Sequence, residues 1–159
     1  MIKETIKSGL SFGLTSATIT TLGLMAGLYT GTGSKVAVLG GIITIAIADA
    51  FSDALGIHIS KESENHLTKK QIWEATFSTL ISKFLFALTF LGPVLIFDLT
   101  AAVIINFSWG ALALVLLSLY LARQENEAPR KVISEHLLIA TLVILITYFL
   151  GKLIASIFG

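Results

Sequence analysis

Two aspartates, Asp49 and Asp53, lie within an apolar stretch, residues 36–60, that is long enough to cross a lipid bilayer. Their i,i+4 spacing places both carboxylates on one face of a helix. Counted from residue 60, Asp49 lies about 16 Å deep and Asp53 about 10 Å deep. Ionisable side chains at such depth are costly and mark ion or proton pathways, so both are candidate metal ligands. The alternative is that they only hydrogen-bond to neighbouring helices.

Lys83 is predicted to lie beside these carboxylates. It belongs to another apolar stretch, residues 72–97, which starts on the same side, so its depth is also about 16 Å. An ammonium and a carboxylate at one depth in neighbouring helices favour an ion pair. Two interpretations stay open. Either Lys83 forms a structural salt bridge with Asp49 or Asp53, or its ammonium occupies the carboxylate site while no metal is bound.

The first apolar stretch, residues 8–29, is rich in hydroxyl groups. Ser16 and Thr20 reach about 12–18 Å, level with the aspartates, and are candidate metal-facing groups. Hydroxyls within a span also bond across helices or back to the carbonyl four residues earlier, and that interpretation applies to most of them.

Three glutamates near the polar segment between the second and third stretches are candidates for capturing metal at the inner mouth. They are Glu62, Glu64 and Glu74. Carboxylate oxygens suit hard divalent ions such as Mn²⁺. The alternative is a solvated charged loop beside three lysines.

The composition indicates an integral membrane protein. Of 159 residues, 55% are hydrophobic and only 13% are charged, about half the charged share of a soluble domain. The mean hydropathy is +0.88. The chain has no cysteine, so disulfides and thiolate ligands are excluded. It carries no P-loop, nucleophile elbow, zinc-protease or dinucleotide motif, and we expect neither an enzyme nor a nucleic-acid-binding protein.

The apolar runs predict an all-α fold, a single transmembrane domain over residues 1–159 in contact with the lipid bilayer. A kink is expected at Gly92-Pro93, inside the third helix. The five predicted helices cover approximately residues 8–29, 36–60, 72–97, 99–122 and 134–158.

We expect a multi-pass protein of the cell membrane. The distribution of lysine and arginine predicts that its N-terminus lies in the cytosol and its C-terminus outside. The outer side carries Lys35 and Lys152. Eight residues fall on the inner side: Lys3, Lys7, Lys61, Lys69, Lys70, Arg123, Arg130 and Lys131.

Three segments resemble the vacuolar iron transporter family. ADAFSDALGIHISKESE, residues 48–64, is similar to the family's pattern A-D-G-F-S-M-x-x-G-x-Y-L-S-x-K-S-E. ITTLGLMAGL, residues 19–28, resembles its first helix, T-T-F-A-x-x-A-G. APRKVISEHLLIATLVILITYFLGKLI, residues 128–154, resembles its basic loop and the T-Y-x-x-G-[RK]-L finish. The likeness extends over essentially the whole chain.

This resemblance implies a five-helix protomer and a homodimer with the ion path between the protomers. It also implies export of Fe²⁺ or Mn²⁺ from the cytosol in exchange for protons, with no permanently bound cofactor. The family's first-helix metal carboxylate falls on Ser16 and its second-helix metal methionine on Asp53, so these ligands are harder and all oxygen. The family's glutamate-rich cytosolic domain is absent here.

The sequence therefore predicts a secondary transporter of a divalent metal, with Asp49 and Asp53 binding the ion and alternating with protons. The rival is a non-transporting membrane scaffold or assembly protein with a structural Asp–Lys network. It predicts that Asp49, Asp53 and Lys83 satisfy one another with no cavity beside them. An intramembrane aspartyl protease is the weakest alternative, since both carboxylates lie on one helix.

Overall fold

The computed structural model describes residues 4–159, which form six α-helices and no β-strand. The helices are α1 (Glu4–Thr32), α2 (Lys35–Glu62), α3 (Lys69–Thr89), α4 (Leu91–Ile96), α5 (Leu99–Glu125) and α6 (Pro129–Phe158). Because α3 and α4 together make one span, five segments are long and apolar enough to cross a membrane. The all-α prediction and the number of apolar helices are confirmed. Lys3, which was counted among the inner charges, lies outside the described residues.

The third predicted helix is interrupted, as the Gly92-Pro93 pair indicated, although the break lies slightly earlier. α3 ends at Thr89, and Phe90 separates it from α4. Pro93 has no amide hydrogen to donate to the carbonyl of Thr89, four residues before it. At the break itself, the Phe90 amide donates to the carbonyl of Ala87, three residues earlier, at 3.2 Å. The buried amide of Asn106 donates to the Phe90 carbonyl at 2.9 Å and ties α5 to this break.

Helix ends follow local capping chemistry. Ser34 and Asp98 accept main-chain N–H bonds at the starts of α2 and α5. Thr68 and Gln71 form a capping box at the start of α3. The last helix begins at Pro129, earlier than the predicted residue 134. Proline suits a first-turn position because its missing N–H has no partner there anyway.

α1 lies at the centre of the bundle and packs against α2, α3, α5 and α6. Its glycines permit this. A Cβ at Gly13 would meet the side chain of Ser82 and would lie 2.8 Å from the Thr79 carbonyl oxygen and 3.2 Å from the Lys83 nitrogen. Small residues at such crossings let helix backbones approach closely. Gly13 thus sets the distance between α1 and the part of α3 that carries Lys83.

α2 approaches its neighbours through a stripe of alanines at i,i+4 spacing. Ala46, Ala50 and Ala54 are all buried. Ala46 forms a small core cluster with Ala17 of α1 and Ala87 of α3, so the three helices meet closely at this level. Asp49 and Asp53 follow the same spacing on the adjacent face of α2, which brings their carboxylates within reach of both other helices.

Candidate cation-binding site

Lys83 joins α3 to both aspartates of α2. Its Nζ lies 2.5 Å from Oδ2 of Asp49 and also contacts Oδ2 of Asp53. Ser16 of α1 completes the group, since its Oγ donates to Asp53 at 2.6 Å and accepts from Lys83 at 2.8 Å. The ion pair that the common depth predicted is present, and it includes both carboxylates. We call Ser16, Asp49, Asp53 and Lys83 the carboxylate–lysine cluster.

Burial divides the cluster into a closed side and an open side. The side chain of Lys83 is 1% exposed, whereas those of Asp49 and Asp53 are 26% and 20% exposed. A fully buried ammonium is costly without a partner, and the two carboxylates supply the compensation. With all three groups ionised, the formal charge of the cluster is −1. It therefore attracts a cation from the side on which the carboxylates are accessible.

The carboxylate of Asp49 faces an open groove of about 570 Å³ between α1 and α2, and Asp53 is not among the residues that line it. Asp49 and Ser52 line it, together with apolar and small side chains that include Leu24, Leu28 and Gly41. Asp49 therefore has Lys83 on one side and open space on the other. The transporter and scaffold hypotheses differ in whether they expect open space beside the cluster, and this groove lies at Asp49 alone of its charged residues.

Thr20 does not share the arrangement of Ser16. Its hydroxyl donates to the main-chain carbonyl of Ser16 at 2.9 Å, the common bond of a hydroxyl within a helix. Of the two hydroxyls proposed to face the metal, Ser16 is the one that contacts the carboxylates. The described hydrogen bonds do not connect Thr20 to them.

The glutamates of the inner segment are spread over separate environments. Glu64 pairs with Lys61 at 2.8 Å and lies 3.7 Å from His66. The hydrogen bond from Lys61 lowers the pKa of Glu64 below its ordinary value. Glu62 lines a separate recess of about 130 Å³ with His58 and Lys69. Glu62 and Glu64 thus have different neighbours, and Glu74 lies on α3.

His58 and Asn106 form hydrogen bonds between helices that the sequence did not predict. The His58 ring Nδ1 lies 3.0 Å from Thr76 Oγ1. Since Thr76 donates its own proton to the Ile72 carbonyl, it accepts from His58, and this bond joins α2 to α3. Asn106 is fully buried and donates to Phe90. A lone amide within an apolar run was the available signal for Asn106, because polar side chains in spans bond across helices.

Within residues 4–159, no three histidine, aspartate or glutamate side chains come together so that they could hold a metal ion. One protomer offers two carboxylates and the Ser16 hydroxyl. The remaining positions around an ion bound to this cluster would need water, main-chain oxygen or a second chain.

The chain matches no protein-family model and no curated protein. Its class is defined by its fold and its site: an all-helical protein with five helices apolar enough to span a membrane, and with a buried carboxylate–lysine cluster at the contact of three of them.

Proposed function

We propose that this protein is a multi-pass protein of the cell membrane with its N-terminus in the cytosol and its C-terminus outside. Large apolar side chains cover the outer faces of its helices, among them Phe51, Leu55, Leu142 and Phe149. Six of the eleven lysine and arginine residues lie at the facing ends of α2 and α3 and of α5 and α6: Lys61, Lys69, Lys70, Arg123, Arg130 and Lys131. These helix ends lie at the same end of the bundle as the start of α1, which supports this orientation.

We propose that it is a secondary transporter that moves a divalent metal, Fe²⁺ or Mn²⁺, out of the cytosol in exchange for protons. The observation that carries this proposal is the position of the carboxylate–lysine cluster beside the open groove at Asp49. Intramembrane charges that face a cavity mark ion pathways more often than charges sealed inside a core. The likeness to vacuolar iron transporters in three segments supports the substrate class.

The charges suggest how a divalent ion would compete with Lys83. The two carboxylates carry a formal charge of −2, and the ammonium neutralises only half of it. A divalent ion between Asp49 and Asp53 would neutralise both carboxylates and displace the ammonium. Lys83 therefore acts as an internal counter-ion that keeps the site compensated when no metal is bound. Ser16 already donates to Oδ2 of Asp53 and would keep this bond if the metal bound the other oxygen of that carboxylate.

A homodimer with the ion path at its interface fits the surface of α2. The outward face of this helix carries a continuous i,i+4 stripe of exposed apolar side chains: Ile43, Ile47, Phe51, Leu55 and Ile59. The groove lined by Asp49 lies next to this stripe. A second copy packed against α2 would enclose the groove and could supply the ligands that one protomer lacks.

The test is transport of Mn²⁺ in proteoliposomes, with internal pH followed in parallel. Asp49→Asn and Asp53→Asn should each lose most of the metal flux and the accompanying proton flux. Asp98→Asn is the matched control, since it is the same substitution at an exposed helix cap that asparagine serves equally well. Unchanged transport in both site variants would overturn the proposal.

The second candidate is a non-transporting scaffold in which the cluster only holds α1, α2 and α3 together. The mutual pairing of Lys83 with both aspartates favours it. In that case, wild-type proteoliposomes show no metal flux above protein-free liposomes, and the site variants lose stability alone. Measuring unfolding temperature alongside flux separates the two functions.

A further inference from the structure

A second groove, distinct from the one at Asp49, runs along α1 and α5. It has a volume of about 420 Å³ and an almost entirely apolar lining. α1 forms its floor and α5 its wall, and Phe86 of α3 lines it at the level of Trp109. The residues that matter below are Leu14 and Thr18 on the floor, Phe86 on α3, and Trp109, Ala113 and Tyr120 on α5.

Aromatic side chains close the deep end of this groove. The rings of Phe86 and Trp109 lie 5.9 Å apart, and Trp109 donates its indole N–H to Thr89 at 3.1 Å. This bond links α5 to α3 above the groove and leaves the indole with an apolar surface towards it. The opposite end lies near Lys7 and Tyr120 and is not closed in this way.

The length of the groove matches one leaflet of a bilayer. Its floor extends from Lys7 to Thr18 along α1, which corresponds to about 16 Å of helix. Half of a hydrocarbon core is about 15 Å thick. With the N-terminal end of α1 at the inner membrane surface, the groove runs from the headgroup layer to about the midplane.

A polar recess of about 340 Å³ continues the groove at its open end. Lys7 and Ser11 line both spaces, and Glu4, Gln124 and Glu125 line the recess. Within the described part of the chain, Lys7, Glu4 and Glu125 form no ion pair with one another. The recess thus presents one cation and two carboxylates that are free to bind charges of the opposite sign.

We propose that this groove and recess bind one inner-leaflet phospholipid with a primary-amine headgroup, of the phosphatidylethanolamine type. One acyl chain lies along the groove, and the phosphate pairs with the Lys7 ammonium. The headgroup ammonium donates hydrogen bonds to Glu4 and Glu125. A choline headgroup has the same charges but no N–H donor, and a glycerol headgroup has no cation, so both satisfy the recess less well.

This inference rests on the proposed insertion and orientation of the chain in a membrane, and it does not depend on metal transport. A protein that fails to move metal yet retains the amine phospholipid would disprove the transporter alone. A protein that moves metal and shows no lipid preference would disprove this inference alone.

Native mass spectrometry of the purified full-length protein tests it directly. The delipidated protein is titrated with phosphatidylethanolamine, phosphatidylcholine and phosphatidylglycerol of identical acyl chains. We expect the first to bind about three- to fivefold more tightly than the second, the range of a few partly exposed charge-assisted bonds. Equal binding of the three lipids would overturn the proposal.

Two matched alanines test the position of the acyl chain. Ala113 lines the groove, whereas Ala111 is exposed on the same helix outside it. Ala113→Phe should lose the retained lipid, and Ala111→Phe should keep it. Lipid retention that is equal in the two variants would place the acyl chain elsewhere. A change of oligomeric state confined to Ala113→Phe would identify a second copy of the chain as the occupant and would also overturn the proposal.

Headgroup variants leave the bundle core untouched and so avoid ambiguity from misfolding. Lys7→Gln should weaken binding of all three phospholipids, because each carries the phosphate. The double variant Glu4→Gln, Glu125→Gln should remove the preference for the amine headgroup over choline while keeping binding of both. A preference that survives in the double variant would contradict the assignment of the two carboxylates.

Discussion

Ser16 of α1 and Asp53 of α2 are joined by a hydrogen bond of 2.6 Å, with Lys83 of α3 bonded to both. The resemblance to vacuolar iron transporters, a hypothesis drawn from the sequence, makes these two positions the counterparts of a metal carboxylate and a metal methionine. Their direct contact places both positions in one site of this protein.

Ser16→Ala should destabilise the protein by about 1–3 kcal/mol, because it removes a donor to Asp53 and an acceptor for the buried ammonium. Thr20→Ala is the matched control, one turn further along α1. The hydroxyl of Thr20 bonds only to the Ser16 carbonyl, so its loss should cost less than about 1 kcal/mol. Thermal unfolding in detergent measures both. Equal losses would show that the bond between Ser16 and Asp53 contributes nothing specific.

Moving the carboxylate from position 53 to position 16 tests whether the two positions bind the same cation. Asp53→Met removes one of two carboxylates and should weaken Mn²⁺ binding by tenfold or more, about 1.4 kcal/mol. Adding Ser16→Asp to that variant returns a second carboxylate to the same contact and should recover most of the affinity. Mn²⁺ titration followed by electron paramagnetic resonance reports the free ion. Failure of the double variant to recover would place position 16 outside the site.

Much of the fold was predictable because a span needs a long apolar run, and such runs are visible in the sequence. The interruption near Phe90 was predictable from Pro93, since a proline inside a long helix removes a main-chain hydrogen bond. The start of α6 was predicted too late, because Arg130 and Lys131 read as loop residues although they continue the helix. Charge alone does not end a helix.

The site was predictable as far as helix periodicity and depth extend. Spacing placed Asp49 and Asp53 on one face, and depth placed Lys83 beside them. Spacing and depth could not show that the Ser16 hydroxyl bonds to Asp53 while the Thr20 hydroxyl bonds to the main chain of α1. That difference depends on the rotation of α1 about its axis and on the side-chain rotamers. The open groove at Asp49 was equally hidden, since it depends on how the side chains of α1 and α2 pack against each other.

Gly13→Ala should destabilise the bundle by about 1–3 kcal/mol, because the added methyl group would meet the side chain of Ser82 and the backbone of α3. It should also weaken Mn²⁺ binding, since α1 would move away from Lys83. Gly40→Ala is the control. A Cβ at Gly40 meets nothing within 4 Å, so this change should stabilise α2 by about 0.5–1 kcal/mol. The two variants should change the unfolding temperature in opposite directions. An unchanged unfolding temperature in Gly13→Ala would contradict the close crossing of α1 and α3 at this residue.

The hydrogen bond between Lys61 and Glu64 should be measurable as a lowered pKa of the Glu64 carboxyl. The hydrogen bond from Lys61 lowers the pKa of Glu64 from its ordinary value of 4.5. A carboxyl whose folded-state pKa is lowered favours the folded state above 4.5, and this contribution is lost as the pH falls through the lowered pKa. Lys61→Met should therefore raise the Glu64 pKa, as measured by a carboxyl-carbon NMR titration. Glu64 is partly exposed, so high salt should reduce the difference. An unchanged pKa would show that the pair is absent in solution.

Lys83→Met offers the sharpest distinction between a transporter and a scaffold. It leaves Asp49 and Asp53 close together with no ammonium between them and should cost about 3–5 kcal/mol of stability without metal. If the carboxylates form a metal site, Mn²⁺ takes the place of the ammonium and stabilises the variant by about 2.7 kcal/mol at a concentration one hundred times its Kd. The wild type should respond less to the same Mn²⁺ concentration, because Lys83 competes for the carboxylates. Lys152→Met, at an exposed position on α6, controls for loss of a lysine. It should cost no more than about 0.5–1 kcal/mol, the contribution of its cation–π contact with Tyr148, and should leave the response to Mn²⁺ unchanged. Destabilisation of Lys83→Met that Mn²⁺ fails to reverse would assign the cluster a structural role only.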